Sequence, residues 1–180
     1  MATIVVGGSG RGVGKTALVC SLIGALPEFG WTAVKITSHV HGKAPQVWEE
    51  TEAGQGADTA RYLAAGARRA FLITAEDDEL KAILTQFCEN QPPTEHLIFE
   101  SNRILTHLHP DICLAIAGRL ASEQKQSFAE VLKRMDAMVQ LSDEDRALFA
   151  TPLERPRFHL ASFQRISPQM LQWLRKRLYL

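Results

Sequence analysis

The stretch Thr3-Ile4-Val5-Val6-Gly7-Gly8-Ser9-Gly10-Arg11-Gly12-Val13-Gly14-Lys15-Thr16 runs from a β-branched tetrapeptide, through glycines, to a Lys-Thr pair. Four β-branched residues bounded by glycine predict a short strand buried on both faces, and the spacing from Lys15 to Leu26 predicts a helix. A glycine-rich turn between such a strand and helix can aim backbone N–H groups and a helix N-terminus at anionic oxygens. Glycines let the backbone wrap phosphates closely, Lys15 can reach β and γ phosphate oxygens, and the Thr16 hydroxyl can ligate magnesium. The phosphate-binding residues are therefore Ser9, Gly10, Arg11, Gly12, Val13, Gly14, Lys15, Thr16 and Ala17. One residue departs from the pattern G-x-x-x-x-G-K-[ST], because Ser9 stands where glycine is expected. Serine is tolerable there if its φ is ordinary.

Outward from this motif, strands and helices keep alternating. Strands are expected at Thr32 to Ile36, Ala70 to Ile73, His96 to Glu100, Asp111 to Ile116, Ala137 to Gln140 and Phe158 to Ala161. Helices are expected at Ala57 to Ala65, from Asp77 or Asp78 to about Asn90, at Ser127 to Arg134 and from Pro168 to Leu180. A helical turn is read at Asp143 to Phe149, and Ser38 to Gly56 reads as a long loop without regular structure. Alternation of this kind predicts an α/β fold of three layers, a mainly parallel sheet with helices on both faces, binding ligands at the carboxyl ends of its strands.

Size and composition agree with one nucleotide-binding domain over residues 1 to 180. Twenty basic residues balance twenty acidic ones, which argues against a nucleic-acid partner, and 46% hydrophobic residues suit an ordinary globular chain. Cys20, Cys88 and Cys113 are odd in number and form no C-x-x-C pair, so neither a disulfide framework nor a zinc ribbon is indicated. The apolar run at Thr3 is too short for a signal peptide or a membrane span, so a cytoplasmic protein away from membranes is expected.

Phosphoryl chemistry needs a second metal ligand and a group that positions water or an acceptor. Glu100, at the end of an apolar strand, is the candidate carboxylate for the magnesium shell beside Thr16. Asp58, at the start of a helix, is the second acid, either ligand-facing or a first-turn acid of its helix. The catalytic set is thus Lys15, Glu100 and Asp58. His39 and His41 alternate on an extended segment and could share a metal or simply be polar loop residues. Glu49, Glu50 and Glu52 form a solvated acidic group that could serve as a contact surface, and Lys125 and Ser127 read first as solvated surface residues that could also approach base or phosphates.

Several of these segments together resemble the MobB family, the molybdopterin-guanine dinucleotide biosynthesis protein B group within the SIMIBI class of P-loop GTPases and ATPases. The resemblance rests on the glycine loop through Lys15-Thr16, on Val34 to His41 after the second strand, on Asp58-Thr59-Ala60 through Ala65-Gly66-Ala67, and on Glu100-Ser101-Asn102. It covers about residues 3 to 117, with Ser101 standing where that family has glycine. It implies a slow or assisted GTPase, often dimeric, acting beside a molybdenum-cofactor nucleotidyltransferase. GTP is favoured over ATP only through the resemblance, since no Asn/Thr-Lys-x-Asp segment is present. Two other readings stay open: an ATP-dependent small-molecule kinase or ligase whose 39 to 56 loop holds an acceptor, and a nucleotide-switched metallochaperone or scaffold.

Overall fold

The computed structural model describes residues 1–38, 45–117, 127–140 and 154–179. Among these residues eight strands form one sheet: β1 (Thr3–Gly8), β2 (Thr32–Thr37), β3 (Gln46–Glu50), β4 (Arg69–Thr74), β5 (Leu97–Glu100), β6 (Ile112–Ile116), β7 (Ala137–Gln140) and β8 (Arg157–His159). Five α-helices accompany them among the described residues: α1 (Lys15–Ala25), α2 (Asp58–Ala64), α3 (Asp77–Glu89), α4 (Phe128–Arg134) and α5 (Pro168–Leu178). The spatial order is β3-β4-β2-β5-β1-β6-β7-β8. Every pairing is parallel except β3 with β4, which is antiparallel.

The central strands carry no polar face because both of their faces are covered. Along β1, Ile4 and Val6 join a core with Leu18, Leu22 and Ile23 of α1 and Met170 and Leu174 of α5. Val5 turns to the opposite core, built with Leu80, Leu84 and Phe87 of α3 and Phe128 and Val131 of α4. Alternate side chains of one strand thus hold two helical layers, and the three-layer α/β fold expected from the alternation is present. β1 lies between β5 and β6, with its onward crossover to β2 on one side, so the chain's direction of winding reverses beside the loop that follows β1.

The strands expected from sequence are present within one or two residues at either end. One element departs from expectation: the stretch from Ser38 to Gly56, read as a loop, contains β3. All five β3 residues are at least partly exposed, including Val47 and Trp48, so its sequence shows no apolar-in, polar-out alternation. Ladder bonds to β4 organise it instead of burial. The turn read at Asp143 to Phe149 lies outside the described residues. No helix among those described is long and apolar enough to cross a membrane.

Candidate functional site

The loop after β1 is shaped by its glycines. Gly12 and Gly14 have φ of +70° and +101°, left-handed values that favour glycine. A Cβ on Gly14 would also stand 2.1 Å from Cδ2 of Phe163, a ring delivered by the segment after β8. Ser9 has no positive φ, so the serine in place of the usual glycine is accommodated without backbone strain. Its amide donates to the Ile116 carbonyl at 3.0 Å, tying the loop's start to the end of β6. Asn102 closes the other flank as a two-point clasp. The Gly8 amide donates to its Oδ1 at 2.8 Å, and its Nδ2 donates to the Gly8 carbonyl at 2.9 Å.

At the far end of the loop, Gly14 caps α1 and, as glycine, brings no side-chain cap hydrogen bond to the first-turn N–H groups. Those donors and the positive end of the helix face the cleft, an arrangement suited to a phosphate. Lys15 curls back so that Nζ donates to the Gly10 carbonyl at 2.5 Å.

The candidate acids meet here in one network. The Thr16 hydroxyl donates to Glu100 Oε2 at 2.8 Å, and the Tyr62 phenol donates to the same oxygen. Lys35 Nζ lies 2.7 Å from Glu100 Oε1 and also donates to Asp58 Oδ2. Arg61 approaches Asp58 Oδ1 at 3.6 Å, completing the chain of charges. Glu100 is only 3% exposed, whereas the Asp58 side chain is 34% exposed. Asp58 is therefore the acid that an incoming molecule can reach.

The protonation states follow from competing effects. Burial would pull Lys35 down, but the Glu100 and Asp58 carboxylates outweigh it and hold the ammonium above the ordinary lysine value. Burial pushes Asp58 up, yet the Lys35 hydrogen bond and charge leave it below the usual range. Tyr62 is pushed well up by burial and then by the Glu100 charge, so its phenol stays a donor.

Sequence reasoning identified Thr16, Glu100 and Asp58, and the fold brings these three together with Lys15 nearby. It gave no site role to Lys35, Tyr62 or Asn102. The available signal was a single lysine inside the otherwise apolar and hydroxyl-bearing strand Thr32–Thr37, where a buried ammonium requires an anionic partner. Ser127 lines the cleft and its hydroxyl accepts from Asn102 Nδ2 at 3.2 Å. His39, His41 and Lys125 lie outside the described residues. Glu49 pairs with Arg69, and Glu50 accepts from Thr59 in α2, so these two acids are engaged within the fold.

The donor set suits magnesium. That ion takes hard oxygen ligands and is usually held by one or two protein groups, with phosphates and water completing six. Thr16 Oγ1 and Glu100 Oε2 are two such oxygens side by side at the loop's end.

Replacing Asn102 by Ala removes both side-chain bonds to the buried backbone of Gly8. We expect a loss of about 1–2 kcal/mol in unfolding free energy, measured by urea denaturation.

No protein-family model matches this chain, and no curated protein matches it either. Among solved structures it is similar to the "apo" form of LpxK from Aquifex aeolicus in complex with ATP. The TM-score is 0.52 at 21% identity, over 88% of this chain and 53% of that one. The chain thus spans about half the length of that protein, and at such identity the likeness is one of architecture. Sheet order, glycine loop and structural likeness together establish that this chain has the α/β P-loop NTPase fold.

Proposed function

We propose that the chain binds a magnesium nucleoside triphosphate on the Ser9 to Ala17 loop and cleaves its terminal phosphoanhydride slowly, as a MobB-like accessory protein that prefers GTP. The observation that carries the reading is the convergence of Thr16, Glu100, Lys35 and Asp58 beside one phosphate-type loop. Three of the separated segments that resemble the MobB family, around Lys35, Asp58 and Glu100, supply that cluster. Magnesium, when bound, would neutralise charge on the β and γ oxygens. Lys15 holds those oxygens as well, and Lys35 orients Glu100 through the contact between its Nζ and Oε1. Asp58, exposed to the cleft, orients the attacking water and accepts its proton as the bond from the γ phosphorus to the bridging oxygen breaks.

A second reading, transfer to a small-molecule acceptor from ATP, is favoured by the likeness to a protein solved with ATP. Isothermal titration with non-hydrolysable GTP and ATP analogues, with and without magnesium, separates the two. Magnesium-dependent binding with the GTP analogue preferred is the expected result. Preference for the ATP analogue would move the reading to acceptor phosphorylation or ligation, and binding of neither would overturn nucleotide function altogether.

A further inference from the structure

The cleft extends beyond the loop and is lined chiefly by positive charge. Its volume is about 590 Å³, within the range of pockets that enclose a whole small molecule. Its walls extend from the loop toward the ends of β5 and β2 and the first turn of α2. Among the described residues, Arg11, Lys15, Lys35, Arg61 and Arg103 line it against only Asp58 and Glu100, in a chain whose formal charge is zero.

Arg103 is the informative member. It follows β5 by three residues and is held by two of its three nitrogens. Nε donates to Asp77 Oδ1 at 2.6 Å and Nη2 to the Ala75 carbonyl at 2.8 Å. The third nitrogen, Nη1, is buried with no hydrogen-bond partner among the described residues. A guanidinium is permanently charged, and a buried donor of this kind left unmatched is costly. Its tether Asp77 is 86% exposed and offers little compensation. The Arg103 side chain is nevertheless 20% exposed and lines the cleft, so a permanently charged fork fixed in direction stands at the wall of the space that an oxyanion would fill.

We propose that the part of the cleft bounded by Arg103 binds a second, oxyanion-bearing ligand while the loop holds the nucleotide. The ligand is a small molecule carrying a phosphate or a carboxylate, and Arg103 is its anchor. This rests on the nucleotide reading above for the occupant of the loop.

The test is titration of inorganic phosphate, and separately of acetate, into protein saturated with a magnesium-bound non-hydrolysable nucleotide analogue. Phosphate or acetate should bind the loop-filled protein, and Arg103→Ala should weaken that binding about tenfold or more. The analogue's own affinity should stay within about twofold, as expected of a residue outside the nucleotide's contacts. Whichever anion binds more tightly identifies a phosphorylated or a carboxylate ligand. Asp77→Asn removes the tether but keeps the cation, so it should retain anion binding. Three results would each overturn the proposal: neither anion binding the loop-filled wild type, Arg103→Ala binding as the wild type does, or Asp77→Asn losing as much as Arg103→Ala. An equal loss of analogue affinity in Arg103→Ala would assign the arginine to the nucleotide's own phosphates and overturn it too. Failure of the wild type to bind the analogue would instead remove the nucleotide reading, which the first titration reveals before any anion is added.

Discussion

Lys15→Ala is expected to weaken magnesium-nucleotide binding by about 3 kcal/mol, on the order of a hundredfold in Kd, with the fold retained. The Lys15 Nζ donates to the Gly10 carbonyl at 2.5 Å, a contact that a phosphate oxygen would outcompete through charge. Its removal spares the packing of α1, because that helix is anchored by Leu18, Val19, Leu22 and Ile23 rather than by its first residue. Isothermal titration gives the affinity and circular dichroism the retained fold. Unchanged affinity would mean that the loop is a structural turn.

Much of the fold was legible because burial leaves a pattern. Thr3–Gly8 and Leu97–Glu100 are covered on both sides, so they read as continuous apolar runs, and glycines and prolines marked their ends. β3 left no such trace, since an edge strand with every residue at least partly exposed is specified by its ladder to β4 rather than by hydrophobic spacing. In the site, Thr16, Glu100 and Asp58 could be selected because their chemistry is tied to the ends of recognisable elements. Tyr62 could not, since its phenol serves Glu100 across a tertiary gap between α2 and β5 that sequence spacing does not encode. Phe163 is similar: a ring pressed against Gly14 from a segment 149 positions away has no local signature. Asn102 stood in plain view beside Glu100, but its clasp on Gly8 depends on β5 lying next to β1.

Lys35→Met should be the most destabilising of these substitutions to the fold itself. The ammonium bridges Glu100, which is 3% exposed, and the more open Asp58. Removing one partner of a buried pair leaves an uncompensated charge, which costs about 3–5 kcal/mol. For a chain of this size the lower figure corresponds to a fall of roughly 6–12 °C in Tm. A purely packing-based role would predict little change, because methionine has nearly the same length and preserves apolar contact. Adding Glu100→Gln should recover a substantial part of the loss, since the orphaned charge is then gone, while a double variant as unstable as the single one would show that the pair contributes little. The pH response tests the same point from another side. In the wild type, Asp58 titrates below its usual value and Lys35 above its own, so the pair contributes fully between roughly pH 4 and pH 10. Its contribution fades as pH falls through the lowered Asp58 value or rises through the raised Lys35 value. Lys35→Met lacks that contribution, so its deficit should be full at neutral pH and shrink as pH falls through the lowered Asp58 value. Thermal denaturation of both proteins at neutral pH and in acid below the ordinary aspartate value measures this directly, and a deficit independent of pH would refute the electrostatic account.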